Sequence, residues 1–179
     1  MKKVLILSTS LRENSNSEIL AKETERGAKD AGNDVELISL KNKNIQFCKG
    51  CLACQKLGKC VINDDANEIT EKMKNADVIV WATPVYYYEM SGQMKTLIDR
   101  ANSLYVSKYK FKDVYVITTS ADSSENVVQT VLNGLGGWCA CLPGIGIKGY
   151  INGGGLDNPN AAINNKNLME QAYNMGKSI

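Results

Sequence analysis

Apolar residues along this chain follow two alternating patterns. Short continuous runs are separated by longer stretches in which apolar positions recur every three to four residues. Lys3 to Thr9 is apolar and β-branched without alternation, which predicts a strand covered on both faces. From Ser17 to Gly32, residues Leu20, Thr24, Gly27, Ala28 and Ala31 share one helical face, and Gly32 stands where a C-terminal stop belongs. Asp34 to Leu40 reads as a second strand, and Lys41 to Asn63 is irregular. Asp64 and Asp65 open the next helix, placing acids at its positive end, with Ile69, Met73 and Ala76 inward. Asp77 to Ala82 is a third strand, and Thr83 to Gly92 reads as a loop. Met94, Leu97, Ile98, Ala101 and Leu104 mark the helix that follows. Asp113 to Thr119 is a fourth strand, and Val128, Val131, Leu132 and Leu135 mark a helix after it. Gly144 to Lys148 is a weak fifth strand, Tyr150 to Asn160 a Gly/Asn-rich loop, and Leu168, Met169, Ala172 and Tyr173 mark a last helix. Buried strands alternating with amphipathic helices predict the α/β class: a three-layer sandwich whose parallel sheet carries helices on both faces. Five strands suit the doubly wound order 2-1-3-4-5. With no internal repeat and no dividing linker, residues 1–179 read as one domain with a cysteine-rich insertion at 41–63.

Composition narrows the function classes. At 44% hydrophobic, the chain can bury a core without disulfides. Lys plus Arg is 21 against 19 for Asp plus Glu, and a net charge of +2 without a basic run argues against a nucleic-acid footprint. No apolar stretch reaches the length of a membrane span. The N-terminal MKKVLILSTS has a short apolar run with Arg12, Glu13 and Asn14 close behind, so it reads as a buried strand of a cytoplasmic protein. There is no histidine, which excludes triads, metal ligands and acid–base catalysis built on that side chain. Of six cysteines, four lie between Cys48 and Cys60, a clustering that points to metal, cluster or redox chemistry.

Two loops carry candidate chemistry at strand ends. In open α/β sheets, ligands bind outside the carboxyl ends of the strands, at the switch point. The segment after the first strand, Ser8 to Ser17, delivers hydroxyls, amides and Arg12 to a helix N-terminus, where free N–H groups favour an anion. A single residue would suffice to cap that helix. No G-x-G-x-x-G follows the strand, and the glycine that a P-loop requires five residues before Gly176 is Gln171. The loop resembles the Gly-Ser-Pro-Arg-x-x-Ser-Asn-Thr stretch of the NADPH-dependent FMN reductase family. Ser10, Arg12, Ser15 and Asn16 match it, Ser17 keeps the hydroxyl of its Thr, and Thr9 and Leu11 replace its Gly and Pro. The resemblance implies a flavodoxin-like fold and an FMN whose phosphate meets Ser10, Arg12, Ser15, Asn16 and Ser17. It places the flavin ring against Thr83, Pro84, Val85, Tyr86 and Tyr87, where an aromatic can stack. Tyr88 belongs to the same loop, and Thr119 and Ser120 form the third loop that could meet the flavin. Asp99 and Arg100 read as a structural pair outside the site.

The spacing Cys48-x2-Cys51-x2-Cys54-x5-Cys60 is the most specific local signal. Four thiolates in so short a span can wrap a compact cluster, and Lys49, Lys56 and Lys59 would offset their charge. The spacing leaves three readings open: a [4Fe–4S] cluster, unliganded thiols or a reversible disulfide, and zinc. The motif resembles that of the iron–sulfur flavoproteins, a branch of the same superfamily, in which it holds a [4Fe–4S] cluster. Cys139 and Cys141, flanking Trp138 and Leu142, read as core. The resemblance implies hydride transfer from NAD(P)H to flavin, which needs no catalytic base, and electron release to a quinone, another small acceptor or the cluster. The alternatives are an electron-transfer module with a ferredoxin-like partner, and a thiol- or zinc-based redox sensor. By analogy with flavodoxin-like reductases, a homodimer or homotetramer is expected.

Overall fold

The computed structural model describes all 179 residues. β1 (Lys3–Ser8) and the first part of β3 (Val78–Tyr86) are apolar on both faces because both faces are covered. Along them the side chains alternate between two cores. Leu5, Leu7, Ile79 and Trp81 join a cluster with Met73, Met94, Leu97, Val131 and Leu135. Val4, Ile6, Val78, Val80 and Ala82 join the opposite one with Leu20, Ala21, Leu168 and Ala172. The first cluster is covered by α3 (Asp65–Asn75), α4 (Gly92–Arg100) and α5 (Glu125–Ala140), the second by α1 (Asn16–Asp30), the short α6 (Ala161–Asn164) and α7 (Lys166–Ser178).

The main sheet is parallel. With β2 (Asp34–Ser39), β5 (Asp113–Thr119) and β6 (Gly146–Gly153), its order is β2-β1-β3-β5-β6. The strand β4 (Glu89–Met90) is a two-residue antiparallel return on β3, so the sequence order 2-1-3-4-5 holds for the five parallel strands. The architecture is flavodoxin-like.

Two boundaries differ from the sequence reading. Thr83 to Tyr86 is not loop but the end of β3, paired with Thr118 and Thr119 through Thr83 and Pro84, and the chain then turns back through a hairpin. The fifth strand runs from Gly146 to Gly153, later than Gly144 to Lys148. Its glycines and half-exposed edge position hide the apolar signal, and its register on β5 shifts between Val114 and Tyr115. The irregular 41–63 segment contains one short helix, α2 (Ala53–Leu57), entered through Leu52 at φ 57° and left through Gly58 at φ 70°.

Helices α1 and α7 approach closely at two glycines. A Cβ on Gly27 would overlap the Tyr173 carbonyl oxygen, and one on Gly176 would overlap that of Thr24. This fixes the helix that begins at the candidate phosphate loop against the C-terminal one.

Candidate functional site

The carboxyl ends of β1, β3 and β5 bring three loops together, as parallel topology requires. Buried hydroxyls stitch the first two. The Thr9 hydroxyl donates to Ala82 O at 3.0 Å and lies 3.0 Å from Ser91 Oγ. Ser91 N donates to Thr83 Oγ1 at 3.0 Å, and Ser91 Oγ caps α4 by accepting from Met94 N. These contacts set Ser10 and Pro84, the next residue along each chain, beside each other at the mouth of a cavity of about 200 Å³.

Ser10, Arg12, Ser15, Asn16, Pro84, Val85, Tyr86, Thr119 and Ser120 line that cavity. Of the sequence-selected residues, Ser17, Thr83 and Tyr87 do not. Ser17 is fully buried, its Oγ 3.5 Å from Ser15 Oγ. Thr83 is buried in the stitching just described, and Tyr87 is fully exposed. Four further lining residues escaped the sequence reading: Ala121, Leu156, Asp157 and Pro159. The Gly153-Gly154-Gly155 run before them marks a turn but names no ligand.

Each loop residue has a definable role. Ser15 is the N-cap of α1 and accepts from Glu18 N at 3.2 Å. Ser10 is buried, and its Oγ accepts from Arg12 N at 3.2 Å. Asn16 uses its amide structurally. Its Nδ2 donates to Leu156 O and Asn158 O, and its Oδ1 accepts from Ala162 N, pinning the 156–162 segment over the site. Arg12 is exposed and donates from Nη1 to Asp157 O at 3.2 Å. The first N–H groups of α1 have no intrahelical partner, so they remain available to an anion at this mouth.

The hairpin after β3 is strained. Tyr87 and Tyr88 occupy its two turn positions at φ 50° and φ 63°, a conformation usually left to Asn and Gly. The Tyr88 carbonyl accepts from Thr130 Oγ1, and the Tyr88 hydroxyl donates to Asp122 Oδ2 at 3.0 Å. Asp122 also accepts from Ser124 N at 2.8 Å, and these two bonds, the backbone one first, hold its carboxyl below the usual range. The Asp122 carboxylate in turn raises the Tyr88 phenol. The second and third loops are thereby tied across the pocket.

The cavity combines two kinds of lining. Hydroxyls, one guanidinium and a helix N-terminus come from the first loop, and Pro84, Val85 and Tyr86 of β3 add an apolar surface beside them. That set fits a phosphorylated ligand carrying an apolar ring. Cavities enclosing a drug-sized ligand span roughly 300–1,000 Å³, so this one covers only part of such a molecule and leaves a face open.

The cysteine loop lies at the C-terminal end of α4 and is firmly anchored. Asp65 accepts from Asn44 N, Asn67 donates to Cys60 O and Ile62 O, and Lys74 donates to Gly58 O. Arg100 does not pair with Asp99, which is held by Lys95 at 2.6 Å. It forms a fully buried bidentate pair with Asp64, at 2.6 and 2.7 Å, and donates to Gln46 O and Ile62 O. Burial alone would raise the Asp64 carboxyl. The Arg100 guanidinium, with the N–H groups of Gln46 and Ala66, outweighs it and holds the carboxyl below the usual range.

Cys48, Cys51, Cys54 and Cys60 line one cavity of about 30 Å³, together with Arg100 and Asn102. Two sulfurs accept hydrogen bonds: Cys48 from Gly50 N at 3.4 Å and Cys54 from Asn102 Nδ2 at 3.3 Å. No three of the thiols stand close enough to share one metal ion, so this cavity has to widen to hold a cluster. In chemical kind, four thiols with N–H donors and a cation fit a thiolate-bound anionic group. Cys139 is buried, which pushes its thiol up to about 11, whereas Cys141 is exposed and does not belong to the core. No helix is long and apolar enough to cross a membrane.

The sequence matches the family model of the NADPH-dependent FMN reductases over residues 2–144. An iron-sulfur flavoprotein of Methanocaldococcus jannaschii is 41% identical over 102 residues, covering 57% of this chain and 53% of that protein. One from Methanosarcina thermophila is 34% identical over 124 residues, covering 69% of this chain and 65% of that protein. The chain thus spans about half the length of the first relative and 65% of the second. Among solved structures, an NAD(P)H:quinone oxidoreductase from Methanothermobacter marburgensis superposes with a TM-score of 0.77 at 17% identity, covering 99% of this chain and 96% of that one.

Proposed function

This chain belongs to the family of NADPH-dependent FMN reductases, and from that footing we propose that it is an FMN-dependent NAD(P)H oxidoreductase. The observation that carries the reading is one cavity of about 200 Å³, at the sheet's switch point, lined both by the anion-binding groups of the first loop and by the apolar Pro84, Val85 and Tyr86. Ser10, Arg12 and Ser15 would hold the phosphate with the N–H groups of Asn16 and Ser17. Pro84, Val85 and Tyr86 would flank the ring, and Thr119 and Ser120 would bound the opposite side. Tyr87, exposed at the hairpin tip, would reach the ring only over its open face. Bound there, FMN supplies the hydride acceptance and the onward release of electrons to a quinone or another small acceptor. The chain's part is to bind, orient and exclude water, and a protein without histidine is equal to that task. The reading places the protein in the cytoplasm as a homodimer or homotetramer.

The shared cysteine cavity favours a second reading: the same flavin exchanges electrons with a [4Fe–4S] cluster held by Cys48, Cys51, Cys54 and Cys60, and through it with a ferredoxin-like protein. A visible spectrum of anaerobically purified protein, with iron and acid-labile sulfide measured on the same sample, tests both. Bound flavin with NAD(P)H turnover supports the reductase. Flavin plus cluster, reduced only by ferredoxin, supports the electron-transfer module. Failure to bind added FMN overturns both and leaves the thiol- or zinc-based sensor.

A further inference from the structure

The four-cysteine cavity has a wall that none of its thiols supply. That wall comes from the junction of α4 with the 3₁₀ turn Ala101–Val106, and it carries Arg100 and Asn102. Each is polarised toward the sulfurs. Asn102 Nδ2 donates to Cys54 Sγ at 3.3 Å, the one hydrogen bond its side chain makes. Arg100 uses both terminal nitrogens on the loop, through Asp64, Gln46 O and Ile62 O, but its Nε–H is buried and has no partner. The side chain is fully buried. Cys60 and Arg100 line the same cavity. A buried donor left without a partner is costly, which favours an acceptor beside it.

We propose that Asn102 and Arg100 are positioning residues for the group held by Cys48, Cys51, Cys54 and Cys60, and that they raise its reduction potential by pointing N–H dipoles and one positive charge at its sulfurs. The inference rests on the cluster reading above. One-electron reduction of a thiolate-ligated cluster adds a full negative charge; no bond forms or breaks and no proton is taken up. Nearby N–H donors and a cation stabilise that extra charge. Arg100 also clamps both ends of the loop, so it sets the geometry and the field at once. Asn102 makes no clamp on the loop's backbone, because its side chain hydrogen-bonds only to Cys54.

That separation makes Asn102 the cleaner probe. The experiment uses the whole chain, purified and reconstituted anaerobically, with Asn102→Leu, Asn102→Asp and Arg100→Lys beside the wild type. Iron and acid-labile sulfide are counted, and the cluster is titrated with dithionite and followed by electron paramagnetic resonance. Asn102→Leu should keep its iron and sulfide while its potential falls by about 59 mV, a tenfold change in a one-electron equilibrium. Asn102→Asp should fall further, and Arg100→Lys should fall while incorporating less cluster. Bound flavin in the same sample should titrate as in the wild type. A cluster in Asn102→Leu at the wild-type potential overturns this inference and leaves the cluster reading standing. A wild type without iron and sulfide, or with zinc alone, overturns both. Loss of the cluster from both Asn102 variants while the wild type keeps it assigns Asn102 to folding and overturns the tuning role.

Discussion

Single residues in this chain carry roles that their neighbours in sequence do not reveal. Arg12 is the one cation lining the ligand cavity, held at its rim by Asp157 O. A hydrogen bond to a charged group contributes ~1.5–3 kcal/mol, and an exposed one falls near the lower end. Arg12→Ala should therefore weaken FMN binding about tenfold, read by fluorescence titration; an unchanged affinity would put the phosphate elsewhere. Asn16 was read in sequence as part of a candidate phosphate loop, but its side chain is consumed in holding residues 156–162. Only the fold discloses that, because its partners lie some 140 positions away. Tyr87 makes the opposite case. Its side chain is fully exposed while its backbone sits at φ 50°. A non-glycine residue held there costs ~1–3 kcal/mol, and glycine's greater unfolded freedom returns ~0.5–1 of that. Tyr87→Gly should raise stability by up to about 2.5 kcal/mol in urea unfolding. Strain kept where nothing is buried points to a task for the tyrosine at the hairpin tip.

Elements were read well wherever packing on both faces wrote itself into composition. β1, β3 and β5 were visible as continuous apolar runs, since each feeds two cores. The edge strand β6 was misplaced because glycines and half-exposed positions replace that signal. The end of β3 was taken for a loop because Pro84 and three tyrosines look like a turn, and the strand there owes its pairing to β5 and the tiny β4. Helix α1 was read almost to the residue, yet the reason for its glycine face was hidden. Gly27 and Gly176 let α1 and α7 meet backbone to backbone. Gly176→Ala gains ~1 kcal/mol of helix propensity. The new methyl meets a carbonyl that cannot rotate away, and the overlap costs more, so a net loss of ~1–3 kcal/mol is expected in urea midpoint. A stability equal to wild type would show that the helix pair slides freely.

On the scale of the whole molecule, two sites sit at opposite ends of one helix, and acid should separate them. Asp64 has a folded-state pKa below its unfolded value of about 3.9. Its pair with Arg100 thus stabilises fully above that value, and the contribution is lost as pH falls through the lower folded value. Hydrogen exchange should report loosening of residues 45–63 below about pH 4, before the sheet opens. Asp64→Asn should impose the same loosening at neutral pH, at a cost of ~3–5 kcal/mol, because Arg100 is left buried without its counter-charge. The family and the ligand class were legible from Ser10 to Ser17 and from the cysteine spacing. The bridge between them was not, since Asp64 and Arg100 lie 36 positions apart and neither stands in a motif.

That bridge, α4, runs from Ser91, locked to Thr9 and Thr83, to Arg100, locked to Asp64. At 1.5 Å per residue, its nine residues make a strut of about 13 Å. A strut of fixed length and phase can be repainted but not resized. Adding one residue would turn Arg100 by about 100° around the axis and tear it from its carboxylate. Drift in this lineage should therefore accumulate as substitutions on the outer face of α4 and never as gaps, so the spacing between Ser91 and Arg100 is itself an inherited measurement, a ruler set between the strand-end loops and the cysteine loop.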